Sequence, residues 1–297
     1  MTPFFVPDNF QVYLQTERRY SQHTVDAYLL DVRQFMEFAG INTEEGLKEV
    51  DYQLIRSWIV HLHEANYDNK SINRKLATLR TFFKFQLKSG KIEKNPAVKV
   101  TGPKQQKKLP AFAKQSDLEP ESLDVLFTDD FGGVRDRLML EMFYQTGIRL
   151  SELINLTEEN VGPAAIKVLG KRNKERLIPI SENLTKLINQ FKLLKNSNLF
   201  KNKELFCLNN GKKVYPKFVY GKINYYLSLA TSLDVKSPHV LRHTFATHML
   251  NNGAGLETLK DILGHSSLAA TQVYTHNSFA QLTHIYSSAH PRGHKNQ

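Results

Sequence analysis

Along the first third of the chain, apolar residues recur at three- and four-residue spacing. Over residues 21–40, Val25, Tyr28, Leu29, Val32, Phe35 and Met36 share one face of an α-helix. Ser21 stands where an N-cap belongs and Gly40 where a helix stops. Leu54, Ile55, Trp58, Ile59 and Leu62 mark a second helix. A third, expected to be capped by Ser71, carries Ile72, Leu76, Leu79, Phe82 and Phe83. Together these predict a small helical bundle over residues 1–98. The helical pattern returns through Leu138 to Phe143 and ends at Gly147. Over residues 165–180 the period changes: Ile166, Val168, Leu177, Ile178 and Ile180 flank the polar stretch 170–175, which predicts a β-hairpin with a basic tip. From Ser237 the chain is helical again, with Pro238 suited to the first helical position. The expected class is mainly α with a small antiparallel β-sheet, and no internal repeat stands out.

Residues 99–115 hold five lysines, two prolines and no acid, which suits an extended connection rather than a packed element. The expected division is therefore a helical domain at 1–98, a basic linker at 99–116 and a second domain at 117–297. A basic strap can close a ring around a duplex, and composition alone allows a merely solvated linker equally well.

With 297 residues the chain has room for roughly two domains. Its 40 Lys plus Arg against 29 Asp plus Glu leave a formal charge of +11, which points to a polyanionic partner. At 41% hydrophobic and 10% aromatic residues, wholesale disorder is excluded. The single cysteine, Cys207, excludes a disulfide framework or a cysteine zinc module within one chain and suits a reducing cytoplasm. No basic, apolar leader and no membrane-length apolar window is visible, so the expectation is a soluble protein that stays inside the cell.

Several residues carry candidate chemistry. His239 and Arg242 share the first turn of the helix that Ser237 opens, where unpaired backbone N–H groups and the helix dipole favour an anion. Arg149 directly follows the glycine stop in the stretch TGIRLSEL, and by itself reads as a cap or an ion-pair partner of Glu152. Lys171 and Arg172 at a hairpin tip, and Tyr274 near a short helix, are individually unremarkable. Arg74, Lys75, Arg80 and Lys84 lie off the apolar stripe of the third helix; they suit either a phosphate-tracking row or a solvated face. His239 and His243 have the spacing of helical zinc ligands, but Val240 and Arg242 stand where a metalloprotease needs other residues, and His248 lies off that face. No nucleotide-binding loop and no carboxylate cluster of a two-metal nuclease is present, so neither a metal nor a cofactor is expected.

Taken together and in order, Arg149, Lys171, the pair His239 and Arg242, His265 and Tyr274 reproduce the signature of tyrosine site-specific recombinases. The sequence closely resembles the bacterial Xer recombinases of the XerC and XerD type. The resemblance runs through TGIRLSEL, GKRNKERLIPI, SPHVLRHTFATHML, LGHSSLAATQVYTH and the terminal HPRGH, and it covers nearly the whole chain. No catalytic position departs from it; in the hairpin Arg172 replaces the family's usual glycine and the lysine is kept.

The resemblance implies a helical, SAM-like core-binding domain and an α+β catalytic domain that clamp DNA. Arginine suits a phosphodiester because its planar fork donates paired hydrogen bonds and stays charged. In the implied mechanism Arg149 and Arg242 hold the scissile phosphate, His265 adds a further hydrogen bond, and Glu152 supports the site by hydrogen bonding. Tyr274 is the nucleophile; since a tyrosine ordinarily titrates near ~10 it needs help, for which His239 is placed. Lys171 protonates the departing 5′ oxygen as general acid. The covalent 3′-phosphotyrosine conserves bond energy, so religation needs neither ATP nor a metal. Arg74, Lys75, Arg80, Lys84 and Arg172 are the candidate DNA contacts.

The implied partners are double-stranded DNA with a short, partly palindromic site, further recombinase protomers in a homo- or heterotetramer, and a septal DNA translocase as activator, with no membrane. The segment after Tyr274 is expected to dock on a neighbouring protomer. The implied role is resolution of chromosome dimers through a Holliday junction at cell division, in the cytoplasm at the nucleoid. Two alternatives stand beside it: an integrase or transposase of a mobile element, for which an additional N-terminal arm-binding domain would speak, and a noncatalytic DNA-binding protein of the same fold.

Overall fold

The computed structural model describes residues 8–104, 111–170, 175–264 and 276–293. The chain divides into two compact units, Met1–Lys108 and Leu109–Gln297, each with its own apolar core.

The described residues of the first unit form the α-helices α1 (Asp8–Thr16), α2 (Gln22–Ala39), α3 (Tyr52–Glu64) and α4 (Asn69–Lys88). Helix α2 stops at Gly40, whose φ of 68° is the left-handed conformation that glycine adopts without penalty. Helix α4 starts earlier than the sequence reading placed it. Asp68, not Ser71, is the cap: its carboxylate accepts from the Ser71 N–H at 2.9 Å and the Ser71 hydroxyl at 2.8 Å. A charged oxygen at the positive end of the helix serves better than the hydroxyl one turn inside. The core gathers Phe10, Phe35, Trp58, Phe82 and Phe83, with Phe35 and Trp58 edge to face at 5.2 Å.

A polar cluster sits inside this core. Asp31 on α2 is fully buried and meets Lys75 Nζ of α4 at 2.9 Å, with Lys75 only 3% exposed. Thr78 donates to Asp31 at 2.9 Å, Arg74 also pairs with Asp31, and Lys75 donates to Gln34. The expectation that Lys75 contacts DNA is therefore corrected, because its charge is consumed within the bundle. Arg80 is engaged as well: it donates to the carbonyls of Val100 at 2.5 Å and Ala97 at 3.3 Å. Arg74 keeps an exposed side despite its pairing, and Lys84 is exposed.

The basic stretch 99–116 is also less loose than its composition suggests. Val100 is buried in the first core, and Asn73 and Asn69 donate to the carbonyls of Pro103 and Lys104 at 2.9 and 3.0 Å. At its far end, buried Ala113 donates its N–H to Thr244 at 3.0 Å. The few apolar residues of this stretch anchor its described ends.

The second unit contains α5 (Pro120–Asp124), α6 (Phe131–Thr146), α7 (Leu150–Ile154), strands β1 (Ala165–Leu169) and β2 (Glu175–Pro179), α8 (Glu182–Ser197), α9 (Pro216–Ala230), α10 (Pro238–Asn251), α11 (Leu256–Leu263) and α12 (His276–Ala289). Helix α6 is the axis: from Gly133 to Thr146 all residues but Arg137 are buried, and α8, α9 and α10 pack around it. The strands form an antiparallel pair in the expected hairpin, with Ile166 opposite Ile178 and Val168 opposite Arg176. Helix α12 buries Leu282, Tyr286 and Ala289 in the core of its own unit, against α10 and β2. Among the described residues no helix is long and apolar enough to cross a membrane.

Removing one partner of a buried ion pair strands the other charge, which costs about 3–5 kcal/mol, whereas replacing both with apolar groups is close to neutral. Asp31→Ala should thus destabilise the first unit by about that amount, and Asp31→Leu combined with Lys75→Met should restore most of it. Urea unfolding followed by the fluorescence of Trp58, the single tryptophan, reads this unit specifically.

Candidate active site

The site starts where α6 ends. Gly147 takes a φ of 59°, and a Cβ there would lie 2.7 Å from side-chain atoms of Leu263 and Phe245. Only a glycine lets α6 end so close to α10 and α11. The chain then turns into α7 with Arg149 at its N-cap position. Glu152, three residues on, accepts from the Arg149 backbone N–H at 2.8 Å and from Arg149 Nη1 at 2.8 Å. The Arg149–Glu152 pairing that reads as a local cap in the sequence is thus present, but it is one part of a larger cluster.

Helix α10 begins as expected, with Ser237 accepting from the Val240 N–H at 3.4 Å and Pro238 in the first turn. His239 on that turn is exposed, and Arg242 one turn on is half-buried. Arg242 donates to the carbonyl of Gly147 and, at 2.7 Å, to that of Leu263. Arg149 Nη2 donates to Gly264 O at 2.9 Å. A third arginine, Arg176 of β2, donates its Nε–H to Ile262 O at 2.7 Å. Three consecutive carbonyls at the end of α11 therefore each accept from a different arginine. Among the described residues these carbonyls have no helical partners, and they form the negative end of the helix dipole, which makes them natural seats for cations.

Glu152 supplies the one carboxylate. Arg176 grips it with two bonds of 2.8 Å, so its oxygens accept four hydrogen bonds, near the capacity of a carboxylate. Burial alone would raise its pKa, but the Arg176 and Arg149 contacts outweigh burial and bring it down to about 2. Arg242 moves down to about 10, through burial and then through repulsion from Arg149 and Arg176, and remains charged at neutral pH. Three guanidinium charges thus face one carboxylate. The described residues engage two of the five N–H donors on each of Arg149 and Arg242. Forks already aimed by protein contacts, with donors to spare and excess positive charge, suit a phosphate.

The structure therefore brings Arg149, Glu152 and Arg242 together and sets His239 one turn before Arg242. Lys171, Arg172, His265 and Tyr274 lie outside the described residues. The sequence reading missed Arg176 as a site member. Its signal was strand alternation: 176 and 178 share the inward face of β2, and an arginine on a buried face requires a charged or carbonyl partner. His248 serves structure, since its Nε2 lies 3.1 Å from Ala113 O, which can only accept, leaving Nδ1 to accept from the Tyr144 hydroxyl at 3.1 Å. Among the described residues no group of three His, Cys, Asp or Glu is arranged to hold a metal.

Comparison with known proteins gives two family matches. The phage integrase family model matches residues 118–281, and the phage integrase N-terminal SAM-like domain matches residues 8–90. Tyrosine recombinase XerC of Bacillus subtilis is 36% identical over 296 residues, covering 96% of this chain and 96% of that protein. Tyrosine recombinase XerC of Chlorobaculum tepidum is 35% identical over 316 residues, covering 95% and 93%. Among solved structures, the XerH site-specific recombinase in a post-cleavage complex with its palindromic difH substrate shares the fold at a TM-score of 0.71, with 20% identity and coverage of 95% of this chain and 89% of that one. A lambda integrase tetramer bound to a Holliday junction shares it at 0.65, with 15% identity and coverage of 88% and 74%.

The depressed Glu152 pKa has a consequence for acid stability. A carboxyl at about 2 in the folded state against 4.5 ordinarily contributes stability that is complete above the ordinary value and is lost as pH falls toward the folded one. Glu152→Gln should melt lower than wild type at neutral pH, and its stability should fall less steeply between pH 4.5 and 2. Thermal melts across that range check this; parallel acid slopes would show that Glu152 is not the titrating group.

Proposed function

The chain belongs to the phage integrase family, and from that membership we propose that it is a tyrosine recombinase that cuts and rejoins DNA strands through a covalent 3′-phosphotyrosine. The observation that carries this reading is the arginine cluster, in which Arg149 and Arg242 are oriented by carbonyls and by Glu152 with donors left for a phosphate.

The chemistry follows from those parts. The Tyr274 hydroxyl attacks the scissile phosphorus, one P–O bond forms to the tyrosine and the bond to the 5′ oxygen breaks. The tyrosine proton passes toward His239, and Lys171 gives the proton that the 5′ oxygen needs to leave. Charge building on the non-bridging oxygens is met by Arg149 and Arg242, with His265 as a further donor. Because these donors are set before reaction, little reorganisation is needed as charge develops. The phosphotyrosine is attacked in turn by the 5′ hydroxyl of another strand, which reverses the step and releases Tyr274. The number of ester bonds stays constant, so no external energy source enters.

The substrate in this proposal is duplex DNA carrying a short, partly palindromic site, and the working unit is a tetramer of recombinase protomers passing through a Holliday junction. What supports it is full-length similarity to XerC proteins, together with the fold shared with XerH on difH and with the lambda integrase tetramer. In keeping with the XerC relatives, the proposed role is resolution of chromosome dimers in the cytoplasm, with a septal DNA translocase as activator. Arg74, Arg80, Lys84 and Arg172 remain proposed contacts to the DNA backbone.

The test is a denaturing-gel trap with nicked, labelled duplexes carrying candidate Xer-type sites, in EDTA. Wild type should form a covalent protein–DNA band, and Tyr274→Phe should bind equally but form none. DNA binding without adduct in wild type would mean that a partner or activator is missing; the same result with the translocase activator added would make the chain a noncatalytic binder. Lys171→Ala should bind normally and cleave more slowly by about 100- to 10,000-fold, the usual worth of a general acid. A 5′-thiol leaving group, which departs without a proton, should restore its rate; no restoration would remove Lys171 from that role.

A further inference from the structure

Arg176 enters the site from β2 with 5% of its side chain exposed, and the strand transfer described above gives it no part. Its fork closes on Glu152 with two parallel 2.8 Å bonds, and its remaining edge reaches Ile262 O at 2.7 Å. One rigid plane thus ties β2 to α7, through Glu152, and to the last turn of α11. Glu152 in turn holds Arg149 by both backbone and side chain, and the two carbonyls after Ile262 receive Arg242 and Arg149. Gly264, at φ 64°, lies against the same side chain: a Cβ there would stand 3.2 Å from Arg176 Cδ and Nη1. The residue after Gly264 is His265. The two phosphate-holding arginines and the start of the segment carrying His265 therefore converge on Arg176.

We propose that Arg176 is a positioning residue for strand cleavage, fixing the orientation of Arg149 and Arg242 through Glu152 and the end of α11 without touching the phosphate. This rests on the tyrosine recombinase reading. Lysine could replace the charge but not the plane, since an ammonium cannot make the two parallel bonds to Glu152 and reach Ile262 O with the same rigid group. Donors displaced by about 1 Å from the transition state cost about 100-fold in rate. Loss of Arg176 also leaves Glu152 with burial less opposed, which favours its neutral form and loosens its hold on Arg149. The charged groups acting on Glu152 are Arg149 from α7, Arg176 from β2 and Arg242 from α10, while the α11 end contributes the carbonyls already named.

The experiment is single-turnover cleavage of nicked duplex by full-length wild type, Arg176→Met, Arg176→Lys, and Arg176→Met with Glu152→Gln. Arg176→Met should keep wild-type DNA affinity and adduct amplitude while its rate constant falls about 100-fold, and Arg176→Lys should recover part of that. Adding Glu152→Gln to Arg176→Met should slow cleavage little further, because both side chains act through the same pair. A wild-type rate constant with reduced amplitude would mean that fewer molecules fold, and would overturn the positioning role while leaving the recombinase reading intact. Absence of adduct from wild type itself, with the translocase activator present, would overturn the recombinase reading, and this inference with it.

Discussion

Three guanidinium groups gathered in one small volume repel one another, and the second unit is built around making that arrangement stable without DNA. It does so with one carboxylate and with the carbonyl end of one helix. Glu152 neutralises part of the charge and is fully hydrogen-bonded. The carbonyls of Ile262, Leu263 and Gly264 each take one arginine. This solution dictates the surrounding fold: α6 must end at a glycine so that α7, α10 and α11 can meet, and β2 must turn an arginine inward. The charge left over is what an anionic substrate would complete, so stability and function are set by the same contacts.

The rest of the second unit supports this meeting point. Helix α6 presents Glu141, Tyr144 and Gln145 to a continuous buried polar network. His290, fully buried, lies 3.3 Å from the carbonyl of Tyr144 and accepts from the Arg292 N–H at 3.0 Å; burial brings its pKa down to about 3 and keeps it neutral. Arg292 pairs with Glu141 at 3.0 Å and donates to Leu118 O at 2.5 Å. Through Tyr144, His248 and Ala113 the network continues to the far end of the basic segment. The end of the chain and the entrance to the second unit are thus held by the same helix.

In the first unit the same physics has a different use. A fully buried aspartate holds α2 to α4 by consuming Lys75 and part of Arg74. A helix that looks basic in sequence therefore spends part of its charge internally. Lys70, Arg80, Lys84, Lys88 and one side of Arg74 stay toward solvent, so the loss to the interior is chiefly that of Lys75.

The one-dimensional pattern located part of the fold, and α1, α8 and α9 have no counterpart among the elements it predicted. Helices α2, α3, α6 and α10 follow from apolar spacing, and Gly40, Gly147 and Ser237 end or begin them as a left-handed stop or a side-chain cap must. The hairpin follows from alternation. The ordered set from Arg149 to Tyr274 identified the family, because residue types in order survive without knowledge of distance. Proximity was decided only by the tertiary structure. Nothing local distinguishes Lys75, buried on Asp31 more than forty positions away, from Lys84, which stays in solvent. Ser71 lost the cap to Asp68 because a carboxylate is the stronger acceptor at a helix start. Arg176 became part of the site because β2 faces the end of α11, eighty-six residues further along the chain. Charge pairing acts across space, so a sequence fixes which charges exist and the fold alone settles which of them remain for a partner.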